Sequence, residues 1–215
     1  MEGTRQLFHA CVQYSITCIY ISTDYVFAGM PGEAPYESDA ATQPTNLYGR
    51  TKLDGELAAL DATADSHLGI VLRIPVLYGK ADDPSESAVN VLIDAVWNSQ
   101  KTNAMVKMDD WAWRYPTNTE DVARVCYDVA TKYLDVEDHR KQLPRILQFT
   151  SEDRFTKYGM CQLFGEILGL PLDNVIADAA SPKGSVQRPF DTHLSTRELK
   201  GLGIDIGTQD FKAWW

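Results

Sequence analysis

Two short apolar runs, 17–22 and 69–78, flank a helix-period segment at 47–60, and that order leaves few folds open. Thr17-Cys18-Ile19-Tyr20-Ile21-Ser22 has the length and β-branched character of a buried strand. A helix at 3–14 precedes it, because Leu7, Ala10, Cys11 and Tyr14 recur at three- and four-residue spacing and form one buried stripe. After the turn-like Gln43-Pro44-Thr45-Asn46, Leu53, Leu57 and Leu60 share one face of the next helix. The order helix, strand, loop, helix, strand predicts a parallel α/β sheet rather than a helical bundle.

The remaining chain extends the pattern. Val89, Leu92, Ile93 and Val96 predict a helix over 86–99, and Val122, Val125, Cys126, Val129 and Tyr133 predict another over 119–134. Residues 146–149 read as a short strand. Thr156 caps a helix that ends at Gly169-Leu170-Pro171. Residues 173–193 read mostly as loop, with Pro182, Gly184 and Pro189, and Asp24 to Asp39 is irregular. Ser195-Thr196-Arg197-Glu198 has capping-box spacing and predicts a short helix beginning there. Phe211, Trp214 and Trp215 form either a terminal seal or a truncated element, and Trp97 reads as a packing residue.

The chain's 215 residues suffice for one domain, or for one domain with a smaller lobe. With 30 acidic against 20 basic residues, the net charge of -10 argues against a nonspecific grip on nucleic acid but leaves a locally positive cavity open. Cys11, Cys18, Cys126 and Cys161 are too widely spaced for a zinc site, so they read as buried free thiols in a reducing compartment, and no metal is expected. No apolar run reaches the roughly 18 residues of a spanning helix, and residues 1–6 do not resemble a secretory signal.

Tyr48 and Lys52 stand four apart, so a helix puts them one turn apart on one face. An ammonium there stabilises a phenolate and eases proton transfer at Tyr48. Thr23, just after the first strand, is placed to meet the same substrate oxygen, and the three together could polarise and protonate a carbonyl. Such a Tyr/Lys pair in isolation is more often a chance feature of a solvated helix.

Its context is Ser22-Thr23-Asp24-Tyr25-Val26-Phe27, then Asn46-Leu47-Tyr48-Gly49-Arg50-Thr51-Lys52, then Leu72-Arg73-Ile74-Pro75-Val76-Leu77-Tyr78-Gly79. These blocks, in this order, resemble the extended short-chain dehydrogenase/reductase superfamily and its dTDP-4-dehydrorhamnose reductase-like branch. Further blocks, among them Arg114-Tyr115-Pro116-Thr117 and Gln187-Arg188-Pro189, extend the likeness along nearly the whole chain and make it most similar to the regulatory beta subunits of methionine adenosyltransferase.

The resemblance implies catalytic roles for Thr23, Tyr48 and Lys52, a nicotinamide side formed by Tyr48, Lys52 and Pro75, and NADP or NAD as cofactor. It also favours a pocket-facing Arg188, although a surface salt bridge is the alternative, and Asp24 as a substrate-side group or an Asx-turn former. The block from Asp109 to Pro116 suits a ligand-side loop or a partner surface.

One part of the pattern does not occur: residues 1–20 hold no glycine-rich turn to receive a pyrophosphate at a helix N-terminus. The resulting expectation is an incomplete Rossmann-like parallel sheet with a small substrate-side lobe. Residues 1–80 would form the carboxyl-side part of the Rossmann-like domain, and 81–215 a mixed region with the lobe. NAD(P) binding should be weak or absent. The strand at 17–22 should form an open edge, with low stability, self-association or a nonfunctional product as consequences. The functional expectation is a cytoplasmic protein, with the nucleus as a second location, that associates with a methionine adenosyltransferase catalytic subunit and has no independent activity. The alternative is an NAD(P)H-dependent reductase of a polar carbonyl compound such as a nucleotide-linked 4-keto sugar.

Overall fold

The computed structural model describes residues 2–101, 105–181 and 187–215, apart from the side chains of Glu137 and Asp138, so the expected loop residues Pro182 and Gly184 lie outside it. Along the chain run α1 (Glu2–Gln13), β1 (Cys18–Thr23), α2 (Leu47–Ala62), β2 (Gly69–Ile74), β3 (Leu77–Tyr78), α3 (Val91–Ser99), β4 (Val106–Asp109), β5 (Thr117–Asn118), α4 (Thr119–Asp135), β6 (Ile146–Gln148), α5 (Lys157–Leu168), β7 (Val175–Asp178), α6 (Arg197–Gly201) and α7 (Phe211–Trp214). Helix α2 carries the chain from β1 back to a parallel β2, as a crossover connection must. The sheet order is β1-β2-β6, and β3–β5 and β4–β7 form two further parallel pairs. The α/β class with an incomplete Rossmann-like parallel sheet is therefore observed.

Strand β2 lies in the middle and every residue of it is buried, whereas β1, expected to be buried, is only partly so. Among the described residues β1 has a strand neighbour on one side only, which leaves Ile21 exposed. The predicted stripe on α1 is also corrected. Phe8 and Cys11 face inward, and Leu7 and Tyr14 lie exposed, because α1 is covered on one side alone.

Proline divides the expected strand 69–78. Pro75 has no N–H for a ladder, so β2 stops at Ile74, and β3 pairs with β5 instead. The expected helix 86–99 begins only at Val91, after a 3₁₀ turn Pro84–Glu86, and the expected loop 173–193 contains β7. The capping box does not close as predicted: α6 starts at Arg197, with Thr196 at its N-cap making no side-chain bond. Thr156 does cap α5, accepting a hydrogen bond from the Gly159 N–H, and Gly169 ends that helix at φ 64°.

Two apolar clusters support this framework. Ile70, Leu72 and Leu147 from the sheet meet Val122, Val125 and Val129 of α4. Tyr78 and α3 meet Met160 and Phe164 of α5, and Phe211 closes this second cluster with Trp214 and Trp215 against it, so the terminal aromatics do seal a core. Trp97 does not: it is 52% exposed, with the Lys101 ammonium over its ring. Cys11 and Cys161 are buried, Cys18 and Cys126 half-buried, and all four thiols are free. No helix among the described residues is long and apolar enough to cross a membrane.

Candidate functional site

Helix α2 is set against the end of β1 by small residues and one buried carboxylate. A Cβ on Gly49 would stand 2.1 Å from the Tyr25 carbonyl oxygen, and one on Gly55 would stand 2.0 Å from the Tyr20 hydroxyl, so neither position tolerates a side chain without a shift. Asn46 caps the helix by accepting from the Gly49 N–H at 2.9 Å. The Tyr48 ring is 54% exposed and edge-on to Tyr25 at 6.1 Å. One turn on, Lys52 Nζ donates to the Ile21 carbonyl at 3.2 Å and lies 5.7 Å from the Tyr20 ring centre. The ammonium is thus tethered to β1 rather than bonded to Tyr48.

At the end of β1, Thr23 caps a 3₁₀ turn by accepting from the Tyr25 N–H, and its hydroxyl donates to Asp24 Oδ1 at 3.0 Å. Thr192 donates to the other carboxylate oxygen of Asp24. Burial pushes the Asp24 carboxyl above its ordinary value, against the hydrogen bond from Thr192 and the attraction of Arg114. A neutral carboxyl has an O–H of its own that can donate to Thr23, and this would free the threonine hydrogen to turn toward a ligand.

Thr23, Asp24, Tyr48, Pro75 and Arg188 line one cavity of about 310 Å³, so five of the six residues singled out from sequence converge. Lys52 is not in that lining. Tyr25, Arg114 and Lys157, which sequence did not single out, add the other polar side chains of the wall, and Val76, Ala88 and Met160 add apolar ones. The nearest signal was the mixed block at 109–116, which contains Arg114. That arginine is buried, its guanidinium 5.8 Å from the Tyr25 ring centre, and Nη1 donates to the Trp113 carbonyl at 2.7 Å. Among the described residues Nη2 has no hydrogen-bond partner, and Asp109 stands 3.7 Å away. Lys157, the first residue of α5, is held below its ordinary amine value by burial and then by Arg188 and Arg114. A second cavity of about 250 Å³ shares Arg188 and is walled by Trp111 and Phe190, whose rings are 5.0 Å apart.

This site can be set beside proteins of similar sequence and shape. Methionine adenosyltransferase 2 subunit beta of Rattus norvegicus is 40% identical over 188 residues, which cover 86% of this chain and 52% of that protein. dTDP-4-keto-6-deoxy-D-glucose reductase of Streptomyces niveus is 38% identical over 122 residues, covering 57% of this chain and 39% of that one. Among solved structures, a Bacillus anthracis dTDP-4-dehydrorhamnose reductase in complex with NADP superposes with a TM-score of 0.77 at 18% identity, covering 98% of this chain and 68% of that chain. The chain spans about half the length of the methionine adenosyltransferase subunits it matches.

The fold is that of NAD(P)-dependent sugar-nucleotide reductases. Two of these likenesses, to the Streptomyces niveus protein and to the Bacillus anthracis structure in complex with NADP, are to reductases, and they correct the expectation of no independent activity. The RmlD substrate binding domain family matches residues 1–212, and the chain belongs to it.

Proposed function

We propose that this chain carries the catalytic and substrate side of an NAD(P)H-dependent reductase acting on a nucleotide-linked keto sugar. The observation that carries this reading is the convergence of Thr23, Tyr48 and Arg188 in one cavity that adjoins a second, aromatic-walled cavity through the same arginine. A carbonyl fits the hydroxyl end, and a flat base fits beside Trp111 and Phe190, with the linking phosphates at Arg188.

In this reading Tyr48 gives its phenolic proton to the carbonyl oxygen, the Lys52 ammonium stabilises the phenolate left behind, and Thr23 holds the same oxygen. A nicotinamide coenzyme supplies the hydride when bound. Tyr48, Lys52 and Pro75 would hold its nicotinamide side, and the exposed Tyr48 ring beside the β1-tethered ammonium of Lys52 suits that task. The sequence offers no glycine-rich turn for the pyrophosphate, so the 215 residues should bind the coenzyme weakly.

The test is NADPH or NADH consumption, at millimolar coenzyme, with a dTDP-linked 4-keto sugar. Tyr48→Phe should cut turnover by about 10²- to 10⁴-fold with an unchanged unfolding curve. Turnover that survives this substitution sinks the reading.

The 40% identity to the rat methionine adenosyltransferase subunit supports a second reading, in which this chain associates with a methionine adenosyltransferase catalytic subunit. The two readings are compatible. Co-migration on size exclusion, with altered kinetics of the catalytic subunit, is the expected result, and separate elution rejects it.

A further inference from the structure

Helix α1 and strand β1 run side by side in opposite directions, joined by a tight reversal. Ser15 takes a left-handed φ of 56°, and the Ile16 N–H returns to the Cys11 carbonyl at 2.8 Å. Phe8 and Cys11, one turn apart, are the buried residues of α1, while Cys18 and Tyr20 are alternate residues of β1 and so point to one face of it. The Phe8 and Tyr20 rings meet edge-on, with centres 6.5 Å apart. Between that contact and the reversal, Cys11 falls opposite Cys18, and the Cys18 thiol has the Cys11 thiol as its neighbour. Cys126 on α4 and Cys161 on α5 belong to two different apolar clusters, and all four thiols are free.

We propose that Cys11 and Cys18 are a redox pair that a disulfide oxidant closes into a cross-link, stapling α1 to β1. The sulfurs must approach to about 2.0 Å, and the exposed turn Tyr14-Ser15-Ile16 gives the chain room to adjust. Cys18 is half-buried and meets an external oxidant first, whereas Cys11 is buried. The Cys18 thiolate attacks one sulfur of glutathione disulfide, forms a mixed disulfide and expels a glutathione thiolate. The Cys11 thiolate then attacks the Cys18 sulfur and expels the second glutathione thiolate. Two protein thiols are oxidised, one glutathione disulfide is reduced to two thiols, and the two protein protons pass to the released thiolates. Burial, and then the neighbouring Cys11, pushes the Cys18 thiol up to about 11, so closure is slow at neutral pH and quickens as pH rises. The pair therefore stays open through brief contact with an oxidant and closes under sustained contact. Because α1 is covered on one side alone, the staple restrains a helix with an open outer face. It also joins that helix to the strand whose far end carries Thr23 and whose Ile21 carbonyl holds Lys52.

The test treats the whole chain with glutathione disulfide near the ordinary thiol pKa of about 8.5, then blocks the remaining thiols by alkylation. Chymotrypsin cuts after Phe8, Tyr14 and Tyr20, which puts Cys11 in peptide 9–14 and Cys18 in peptide 15–20. Mass spectrometry should find these two peptides joined as the main cross-link, with Cys126 and Cys161 alkylated. Oxidation should raise the folded-to-unfolded ratio of the parent about tenfold or more in urea, and dithiothreitol should reverse the gain. Cys11→Ser should leave Cys18 carrying glutathione, with no such gain, and Cys126→Ser should behave as the parent does. The peptide assignment needs only the parent chain, so a variant that folds poorly does not block the test. An oxidised parent without the 9–14 to 15–20 link, cross-links shared evenly among the four cysteines, or an equal gain in Cys11→Ser would each overturn the staple. An oxidised parent no more stable than the reduced one would overturn it as well.

Discussion

Arg73 in β2 and Arg114 in the loop before β5 are both buried, at 2% and 5% exposure, and each guanidinium lies beside an aromatic ring, Phe27 at 5.0 Å and Tyr25 at 5.8 Å. Their partners differ. Arg73 grips the Glu56 carboxylate with Nε at 2.9 Å and Nη2 at 2.7 Å, and its Nη1 reaches the Ser38 carbonyl at 3.1 Å and Gln148 at 3.4 Å. Ser22 donates to the same carboxylate. Among the described residues Arg114 makes one side-chain hydrogen bond, to the Trp113 carbonyl, and faces a carboxylate out of hydrogen-bond range. Burial alone therefore does not separate a structural charge from a functional one. What separates them is how many donors the protein itself satisfies, and by that measure the sheet side is complete and the cavity side is not.

Removing one partner of the complete set should have the largest effect. Arg73→Met leaves a buried Glu56 without its counter-charge and should cost about 3–5 kcal/mol in urea unfolding, while Glu56→Leu combined with Arg73→Met should recover most of it. Arg114→Met leaves a carboxylate that is not bonded to it and should cost clearly less. Equal losses for the two arginines would erase the comparison.

The next effect comes from the contact that places Tyr48. Gly49→Ala puts a methyl 2.1 Å from a backbone oxygen that cannot swing aside, so α2 must shift away from Tyr25. Overpacking of this kind should cost about 1–3 kcal/mol and lower turnover as well. Gly3→Ala in α1, where nothing lies within 4 Å, should not destabilise. An unchanged melt for Gly49→Ala would show that the first turn of α2 is looser than its contacts imply.

These cases explain why part of the molecule was readable before its shape was known. Tyr48 and Lys52 are four apart, so helical periodicity alone puts them on one face. The buried side of α2 was not readable, because it is made of Gly49, Gly55, Glu56, Ala58 and Ala59, while Leu57, assigned inward by hydrophobicity, is exposed. Close packing of a helix on a strand rewards small residues over large ones, and periodicity counts only large ones. The buried Glu56 needs Arg73, which is 17 residues away in an all-buried strand where a cation is unexpected. The cavity cations come from three separate places, the loop before β5, the start of α5 and the loop before α6, and only the fold brings them together. β7 was missed because a two-stranded parallel pair at the surface alternates too weakly to register.

Asp24 gives a smaller effect with a definite sign. Its folded pKa is raised by burial above the ordinary value of about 3.9, so the unfolded chain releases this proton first as pH rises. The folded state then holds more protons, and stability falls with pH through that interval. Relative to Asp24→Asn, the parent chain should be most stable below pH of about 4 and should lose ground as pH rises to neutrality. Unfolding midpoints of the two chains measured across that range decide it. A difference that is flat, or that grows in the parent's favour toward neutral pH, would mean Asp24 is ionised at little cost, and the freed Thr23 hydroxyl would lose its basis.

A third arginine supplies the smallest effect and the sharpest control. Arg124 on α4 is surrounded by Asp121, Asp128 and Asp205 at 3.5–3.9 Å, and it donates to the Asp205 and Gly207 carbonyls, so it has more nominal partners than Arg114. Its side chain is one-third exposed, however, and water can replace each of those contacts when the guanidinium is removed. Arg124→Ala should therefore cost only about 0.2–1 kcal/mol. The ion-pair share of that loss should shrink in 1 M salt, where the screening length falls to about 3 Å. The loss from Arg73→Met should hardly change with salt, because the Glu56 pair sits where ions do not reach. Unfolding both variants and the parent in low and high salt puts the two kinds of arginine on one scale. A large, salt-independent loss at Arg124, or a salt-sensitive one at Arg73, would show that partner number governs these sites more than the satisfaction of buried donors does.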